Sequence, residues 1–231
     1  MNQCTVHVCF GGKADFRLSL NGPRLPRYDC FVLSLWGAAM RVHEFITRPG
    51  AAALVAVLLA SQSARANDDQ TWALLKNPGH IVLMRHSYSP ETPPDGDVDF
   101  KDCSTQRNLD DAGRAQARRV GDAFRKYGIK TARLVASQYC RAMETAKLTG
   151  LGPVRELPTL NQAVGISGML ETAEKNRQYM KTIPASELTV MVSHVTNILS
   201  IAGVSLSSGE MAIVHLDKSG AVVVDGRILI P

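Results

Sequence analysis

Arginine and histidine side chains recur in this sequence where predicted β-strands end. Arg85 and His86 close one apolar stretch, His194 directly follows another, and Arg141 stands a few residues after a third. A neutral imidazole can attack phosphorus and form a covalent intermediate that water then hydrolyses. The planar guanidinium of arginine binds phosphate oxygens in pairs. These four residues therefore predict an anion pocket built around a nucleophilic histidine, His86.

The elements that must position these side chains alternate along the chain. Short apolar strands are separated by helices, a pattern typical of a parallel sheet with helices on both faces. The carboxyl ends of such strands form the edge at which α/β proteins bind ligands. The last two strands form a hairpin, so we expect an α/β three-layer sandwich (α/β/α) whose mostly parallel sheet has an antiparallel edge. The predicted strands are 81–84, 133–137, 152–157, 188–193, 211–216 and 221–230, and the predicted helices are 70–77, 110–127, 141–148, 170–182 and 195–203.

Charge is distributed unevenly over the 231 residues, whose net charge is +5. Residues 1–66 contain seven Lys or Arg and three Asp or Glu, which gives +4. Residues 67–231 contain 19 and 18 of these, which gives +1, and they show no basic stripe. Nucleic acid is therefore not expected as a partner.

A secretory signal peptide is predicted at residues 40–66. Arg41 and Arg48 form its positive region, residues 51–60 its apolar core, and Ala64-Arg65-Ala66 its cleavage site. The apolar core is too short for an ordinary membrane span, so the mature form is expected to have no stable one. An uncleaved anchor or a buried helix is the alternative interpretation of this segment.

The signal peptide also suggests how the chain is organised. Signal peptides start at the N-terminus, so residues 1–39 are interpreted as a start-codon artefact or a disordered extension. The mature protein would be a single domain, 67–231, and would be periplasmic or secreted after cleavage near Ala66.

Three sequence blocks occur in a fixed order: MRHS at 84–87, SQYCRAMETA at 137–146 and SHVTNI at 193–198. Together they resemble the histidine phosphatase (phosphoglycerate-mutase-like) superfamily. Its signature is R-H-G at the first strand, S-x-x-x-R-A-x-x-T-A at the second and a histidine at a later strand end. The resemblance covers about residues 78–216 and implies the phosphoglycerate-mutase-like fold. The segment 102–117 resembles the small secreted members of the superfamily.

The resemblance implies a catalytic role for four residues. His86 would be phosphorylated, and Arg85 and Arg141 would clamp the phosphoryl oxygens. His194 would hydrogen-bond the phosphoryl group and stabilise charge during transfer.

Three further residues are candidates for substrate binding: Arg107, Asn197 and Ser87. Arg107 matches a family position near the pocket, but a surface arginine is the alternative. Asn197 lies one helical turn after the second histidine, where it could touch the substrate or cap the helix. Ser87 replaces the family's usual glycine after Arg-His.

The family's proton donor is not evident in the sequence. Larger members place a Glu in a mid-chain loop or an Asp directly after the second histidine, where this chain has Val195. Glu171 is a possible proton donor, and Glu156 and the loop acids Asp95 to Asp102 are the other candidates. A general acid contributes about 10²–10⁴-fold. Without one, we expect slow hydrolysis of alkyl phosphates, or restriction to good leaving groups such as aryl or acyl phosphates and phosphohistidine.

Cys103 and Cys140 are the only cysteines of the predicted mature domain, and export would favour a disulfide between them. The bridge would close a loop of about 37 residues, worth about 4 kcal/mol in the chain-entropy description. It would also hold the long polar loop 87–108 beside Arg141. Two free buried thiols are the alternative.

No metal site and no cofactor are predicted. The histidines His80, His86, His194 and His215 are dispersed along the chain, and none has the spacing of a metal-binding motif.

These observations predict an exported phosphomonoesterase that hydrolyses phosphate esters of a small substrate through a phosphohistidine at His86. One alternative is a phosphatase for lipopolysaccharide-core or other envelope-glycan phosphates. The other is a catalytically weak periplasmic protein that binds a phosphorylated ligand, a hypothesis that the missing proton donor keeps open. The sequence predicts no oligomeric state.

Overall fold

The structure is a computed structural model, and it describes the C-terminal two thirds of the chain and two short strands near the N-terminus. The two short strands pair antiparallel. The described residues are 69–92, 94–230, β1 (Val8–Cys9) and β2 (Cys30–Phe31).

The predicted leader is not tested by this structure. Residues 40–66 lie outside the described residues, as does the rest of 1–39 apart from β1 and β2. The chain divides into two compact units, Met1–Ala60 and Ser61–Pro231. Among the described residues, no helix combines the length and the apolar character needed to cross a bilayer.

A six-stranded mixed sheet forms the centre of the second unit. Its strands are β3 (Ile81–Arg85), β4 (Arg133–Ala136), β5 (Val154–Glu156), β6 (Thr189–Ser193), β7 (Met211–Leu216) and β8 (Val222–Ile228). They are arranged in the order β5-β4-β6-β3-β7-β8. The first four in this order are parallel, whereas β7 is antiparallel to β3 and β8 is antiparallel to β7. The prediction of a mostly parallel sheet with an antiparallel edge is confirmed.

Helices cover both faces of this sheet. They are α1 (69–74 among the described residues), α2 (Asp111–Lys126), α3 (Cys140–Thr149), α4 (Gly165–Lys181) and α5 (Val195–Ala202). Side chains alternate along β3, so Val82 and Met84 join the core beneath α1, α2 and α3, while Ile81 and Leu83 join the core beneath α4 and α5. The strand is buried on both faces, as expected of a strand between two helix layers. The predicted three-layer arrangement is confirmed.

The predicted elements are present, but several of their ends differ. The largest difference is at α4, which begins at Gly165 instead of residue 170. Its first turns expose Ile166 and Leu170, and no side chain caps its N-terminus. The sequence there has neither a polar cap nor a buried apolar stripe, so the start of α4 could not be recognised.

The strand order brings the predicted site residues to neighbouring strand ends. β6 lies between β3 and β4 in the sheet. His86 follows β3, Ser137 follows β4 and His194 follows β6, all at the carboxyl edge of the parallel strands. The fold therefore concentrates these side chains at one edge, where ligand sites of α/β sheets form.

Close packing of α2 against α3 depends on Gly121. A Cβ added at this position would overlap the carbonyl group of Thr149. We expect Gly121→Ala to lower the free energy of unfolding by about 1–3 kcal/mol in urea denaturation, because the helices must move apart. Gly168→Ala is the matched control, since Gly168 lies in α4 with open space around it. The free energy of unfolding of Gly168→Ala should rise by about 0.4–1 kcal/mol. Equal changes at the two positions would contradict the prediction.

Candidate active site

Two buried histidines lie side by side at the carboxyl edge of the sheet. The ring centroids of His86 and His194 are 5.3 Å apart, and the residues are 4% and 2% exposed. The Tyr139 ring lies 4.8 Å from the His194 ring. The guanidinium carbon of Arg141 lies 4.4 Å from the centroid of the same tyrosine. The structure thus brings three predicted site residues into one pocket.

The surroundings of His86 suit a nucleophile. Its Nδ1 lies 2.8 Å from the carbonyl oxygen of Ser87, which can only accept a hydrogen bond. Nδ1 therefore carries the proton, and Nε2 keeps its lone pair. Burial lowers the pKa of His86 to about 3, and the charges of Arg141 and Arg85 act in the same direction. His86 is consequently neutral and nucleophilic at neutral pH.

A chain of hydrogen bonds sets the tautomer of His194. Asn161 Oδ1 accepts from the main-chain N–H of Gln138 at 2.8 Å, which fixes the orientation of the amide. Ser137 Oγ donates to the same oxygen at 3.1 Å, so its single hydroxyl proton is used there. His194 Nε2, 2.9 Å from Ser137 Oγ, must then donate to it. Nδ1 of His194 is left with a lone pair and no partner.

Arg141 is fully buried at the N-terminus of α3, and the carboxylate of Asp95 binds its guanidinium. Nη1 donates to Oδ1 at 3.0 Å, and Nη2 donates to Oδ2 at 3.2 Å. Nη2 also donates to Gln162 Oε1 at 3.1 Å. A two-pronged contact of this kind is also how arginine binds phosphate. Asp95 therefore occupies a face of Arg141 that could bind a phosphate.

Arg107 also binds Asp95, from the other end of the same loop. Its main-chain N–H donates to Asp95 Oδ1 at 2.7 Å, and its Nε lies 3.8 Å from Oδ2. Partial burial acts to raise the pKa of Asp95, but the Arg107 N–H and the Arg141 guanidinium outweigh it and hold this pKa below its usual value. Asp95 is therefore an ionised carboxylate between two arginines.

Four buried side-chain polar atoms among the described residues have no hydrogen-bond partner: Arg85 Nε, Ser87 Oγ, Arg141 Nε and His194 Nδ1. All four belong to residues that were predicted from the sequence to form the site. A buried polar group without a partner costs about 1–3 kcal/mol, and such groups call for a specific explanation. Two of the four are guanidinium N–H groups, so the pocket suits an anion.

Ser87 connects the end of β3 to α3. Its main-chain N–H donates to Thr145 Oγ1 at 3.0 Å, and that hydroxyl donates to the carbonyl oxygen of Arg141 at 2.7 Å. Ser87 is fully buried, so the serine fits where the family signature has glycine. These hydrogen bonds fix the turn after His86 to the helix that carries Arg141.

Asn197 is buried, but its amide is fully engaged elsewhere. Nδ2 donates to the carbonyl oxygens of Leu160 and Asn161 at 3.1 and 2.8 Å, and Oδ1 accepts from the N–H of Ala163 at 3.0 Å. Both amide protons are thus used by main-chain groups. The structure assigns Asn197 a positioning role for the 160–163 segment instead of the predicted contact with substrate.

Glu171, the predicted possible proton donor, is not brought to the pocket. It lies on α4 with its side chain 67% exposed and forms an ion pair with Lys175 at 2.6 Å. No hydrogen bond or ion pair of the described residues joins it to His86, His194 or Arg141. The acid that does contact the pocket is Asp95, which the sequence offered as one of several loop candidates.

The predicted disulfide between Cys103 and Cys140 is present. It joins a short 3-10 helix, Cys103–Thr105, to the first residue of α3. The neighbouring Gln106 adds a second link, because its Oε1 accepts from the N–H of Cys140 at 2.9 Å. The loop that carries Asp95 and Arg107 is thereby fixed to the helix that carries Arg141.

Gln162 and Asn161 are pocket residues that the sequence did not single out. Both lie in the segment that follows β5. Because β5 is parallel to β4, the segment after it must reach the same edge of the sheet. That topology was the available signal, although nothing in it distinguishes these two amides from their neighbours.

Comparison with known proteins identifies the family. The family model described as "Histidine phosphatase superfamily (branch 1)" matches residues 81–201, just over half of the chain. The chain belongs to the histidine phosphatase superfamily. The match begins at β3 and ends within α5, so it includes all the strand ends that supply the pocket. Membership of this superfamily supports the hydrolysis of phosphate esters.

This member of the superfamily also resembles individual proteins. It is 33% identical over 90 residues to the mitochondrial serine/threonine-protein phosphatase Pgam5 of Drosophila virilis, a match that covers 39% of this chain and 28% of that protein. The chain therefore corresponds to little more than a quarter of the length of that relative.

Two solved structures share the fold. A protein of Escherichia coli K-12 assigned as an alpha-ribazole-5′-P phosphatase has a TM-score of 0.53 and 14% identity, with 67% of this chain and 97% of that chain covered. A phosphoserine phosphatase of Entamoeba histolytica has a TM-score of 0.50 and 14% identity, with 64% and 95% covered. At these identities the likeness is one of fold alone.

The stability of this protein should decrease in acid because of its buried histidine. Burial lowers the pKa of His86 from 6.5 to about 3, so the unfolded chain binds a proton that the folded chain excludes, and stability falls as pH drops below 6.5. We expect His86 to account for about 2–3 kcal/mol of the loss in unfolding free energy between about pH 7.5 and about pH 4.5. Denaturation of the wild type and His86→Gln at both pH values measures this share. An identical pH dependence of the two proteins would contradict it.

Proposed function

We propose that this protein is an exported phosphomonoesterase that forms a phosphohistidine on His86. The observation that carries the proposal is the pair of unpaired, buried guanidinium N–H groups on Arg85 and Arg141, two residues whose charges act on His86. A phosphate ester has enough oxygens to accept from both guanidinium groups at once, and its charge matches theirs. The neutral Nε2 of His86 is the nucleophile in the same pocket.

The reaction would proceed in two displacements. Nε2 of His86 attacks phosphorus, a P–N bond forms, and the bond to the ester oxygen breaks. Arg85 and Arg141 stabilise the negative charge on the phosphoryl oxygens. Water then attacks the phosphohistidine, the P–N bond breaks, and inorganic phosphate leaves with His86 restored.

Asp95 would supply the proton for the leaving group. A phosphate and the Asp95 carboxylate compete for the guanidinium of Arg141, so substrate binding would displace Asp95. Its neighbour would then be an anion instead of a cation, which raises the pKa of a carboxyl group. Asp95 would take up a proton, donate it to the departing alkoxide, and recover one from the attacking water.

Export and the choice of substrate belong to the same proposal. The predicted signal peptide at 40–66 and the Cys103–Cys140 disulfide support a location in which thiols are oxidised. We therefore propose a role in the small secreted branch of the superfamily, with envelope-glycan phosphates as an alternative substrate class. Mass spectrometry of the native protein should find an N-terminus near Asn67. Peptides from residues 1–39 in the native protein would contradict the interpretation of this segment as a start-codon artefact.

Hydrolysis of p-nitrophenyl phosphate by the full chain tests the proposed activity. We expect turnover that inorganic phosphate inhibits competitively and that Arg141→Ala abolishes. Arg155→Ala is the matched control, because Arg155 is exposed at β5, and it should retain full activity. Phosphate binding without turnover would favour the phospho-ligand binding protein, and the absence of both would contradict the proposed function.

A further inference from the structure

A second group of ionisable side chains lies at the other end of β3 from His86. His80 precedes this strand, His215 lies on β7 and Asp225 lies on β8. Asp225 Oδ2 is 2.7 Å from His215 Nδ1 and 3.4 Å from His80 Nε2. One nitrogen or oxygen atom from each of the three residues falls within 4.8 Å of the others.

The pairing of the strands creates this group. Ile81 is opposite Val214 in the antiparallel pair of β3 and β7, so the preceding His80 comes opposite His215. On β8, Val224 pairs with Val214 and Gly226 pairs with Ile213, which leaves Asp225 between them as an unpaired, bulged residue. A bulge changes the direction of a side chain and is common next to functional sites.

We propose that His80, His215 and Asp225 bind a divalent transition-metal cation, with Zn²⁺ as the reference case. Two imidazoles and one carboxylate are a usual ligand set for such ions, whereas Mg²⁺ and Ca²⁺ prefer oxygen ligands alone. Tetrahedral zinc with bonds of about 2.0–2.1 Å separates its ligand atoms by about 3.4 Å. The distance from Asp225 Oδ2 to His80 Nε2 already has this value. The shorter distance from Asp225 Oδ2 to His215 Nδ1 must increase when the ion replaces the proton between these two atoms.

The orientation of His80 supports a ligand role. Its Nδ1 lies 3.3 Å from the carbonyl oxygen of Asn77, so Nδ1–H can donate to that oxygen. The lone pair is then on Nε2, the atom that faces Asp225. Metal-binding histidines characteristically use their second nitrogen in this way, because the outer hydrogen bond fixes the ring and its tautomer.

The group is also accessible to an ion. The side chains of His80, Asp225 and His215 are 15%, 21% and 38% exposed. Partial burial restricts their motion, and the open side leaves room for water to complete the coordination shell. A bound ion would tie the edge strand β8 to β3 across β7. This proposal does not depend on the proposed hydrolysis of phosphate esters.

Calorimetric titration of the EDTA-treated, dialysed full chain with Zn²⁺ and Ni²⁺ tests the site. We expect wild type to bind one equivalent that His215→Ala and Asp225→Asn weaken at least tenfold. Bound metal should raise the midpoint of thermal unfolding in the wild type but not in these variants. Asp217→Asn is the matched control, since Asp217 is an exposed acid of the same hairpin, and His86→Ala excludes binding at the pocket histidines. Both should bind like the wild type.

Cobalt spectra separate this site from the cysteines of the full chain. Co²⁺ bound by imidazole and carboxylate should lack the thiolate charge-transfer band. Asp225→Asn is nearly isosteric, so it tests the site even if His215→Ala folds poorly. Equal affinity in wild type and Asp225→Asn, a thiolate band, or loss of binding in His86→Ala would each overturn the proposal.

Discussion

His86→Ala is expected to lower p-nitrophenyl phosphate hydrolysis at least about a thousandfold, because removal of a covalent nucleophile leaves only binding and charge stabilisation. The tautomer defined by the Ser87 carbonyl leaves Nε2 as the attacking atom. Wild type mixed with substrate and quenched in base should therefore carry one phosphate on His86, detectable by mass spectrometry. The alkaline quench preserves the adduct, since a P–N bond to imidazole hydrolyses in acid.

Imidazole rescue separates lost chemistry from lost folding in this test. His86→Gly removes a ring that is 4% exposed, so it leaves a cavity of that ring's size at the end of β3, and the test adds imidazole to fill it. Imidazole in solution should restore part of the turnover without restoring the adduct on the protein. Hydrolysis by His86→Ala at the wild-type rate would rule out His86 as the nucleophile.

Asp95→Asn is expected to change binding and turnover in opposite directions. The asparagine lacks the charge that competes for Arg141, so inorganic phosphate should bind about 5–100-fold more tightly, equivalent to about 1–3 kcal/mol of released ion pairing. Alkyl phosphate hydrolysis should fall about 10²–10⁴-fold because the general acid is gone. Hydrolysis of p-nitrophenyl phosphate should fall much less, because its leaving group needs little protonation.

The control for Asp95 lies in the same loop. Asp97 is exposed, so Asp97→Asn should leave phosphate affinity and both rates unchanged. Calorimetry with phosphate and paired kinetics on the two substrates measure the effects. Weaker phosphate binding in Asp95→Asn would mean that the carboxylate holds the arginines in place and does not compete with the ligand. Equal decreases in the hydrolysis rates of the two substrates would show that Asp95 is not the general acid.

The central residues of the site could be predicted because they stand near strand ends and because the motifs that carry them resemble a known family. His86 and His194 each end a strongly apolar strand, and parallel strands must end at one edge. Arg141 lies in the first turn of the helix after a third strand of the same sheet. No further knowledge of packing was needed to expect these side chains together.

Asp95 could not be identified in the same way, because its position depends on distant partners. It lies in an irregular loop without hydrophobic periodicity, and its contacts with Arg141 span 46 residues. Several acids of that loop were equal candidates before the fold was known. Only the fold shows which carboxylate reaches a buried guanidinium.

The histidines outside the pocket show a second reason why a site could not be predicted from the sequence. His80 and His215 are dispersed in the sequence, yet their rings lie 6.0 Å apart in the structure. Their proximity arises from the exact offset of two antiparallel strands, and that of Asp225 from one extra residue in β8. Strand offset and bulges depend on the whole sheet, so spacing along the chain did not reveal the cluster.

Reduction of the Cys103–Cys140 bridge would remove a covalent link between the loop of Arg107 and α3. It turns residues 103–140 into a covalent ring that contains Arg107 and ends beside Arg141. Arg107 holds Asp95 through its main-chain N–H. With the ring opened, fewer constraints keep Asp95 over the guanidinium, and phosphate faces a weaker internal competitor. We therefore expect reduction of the disulfide to change the affinity of the pocket for phosphate.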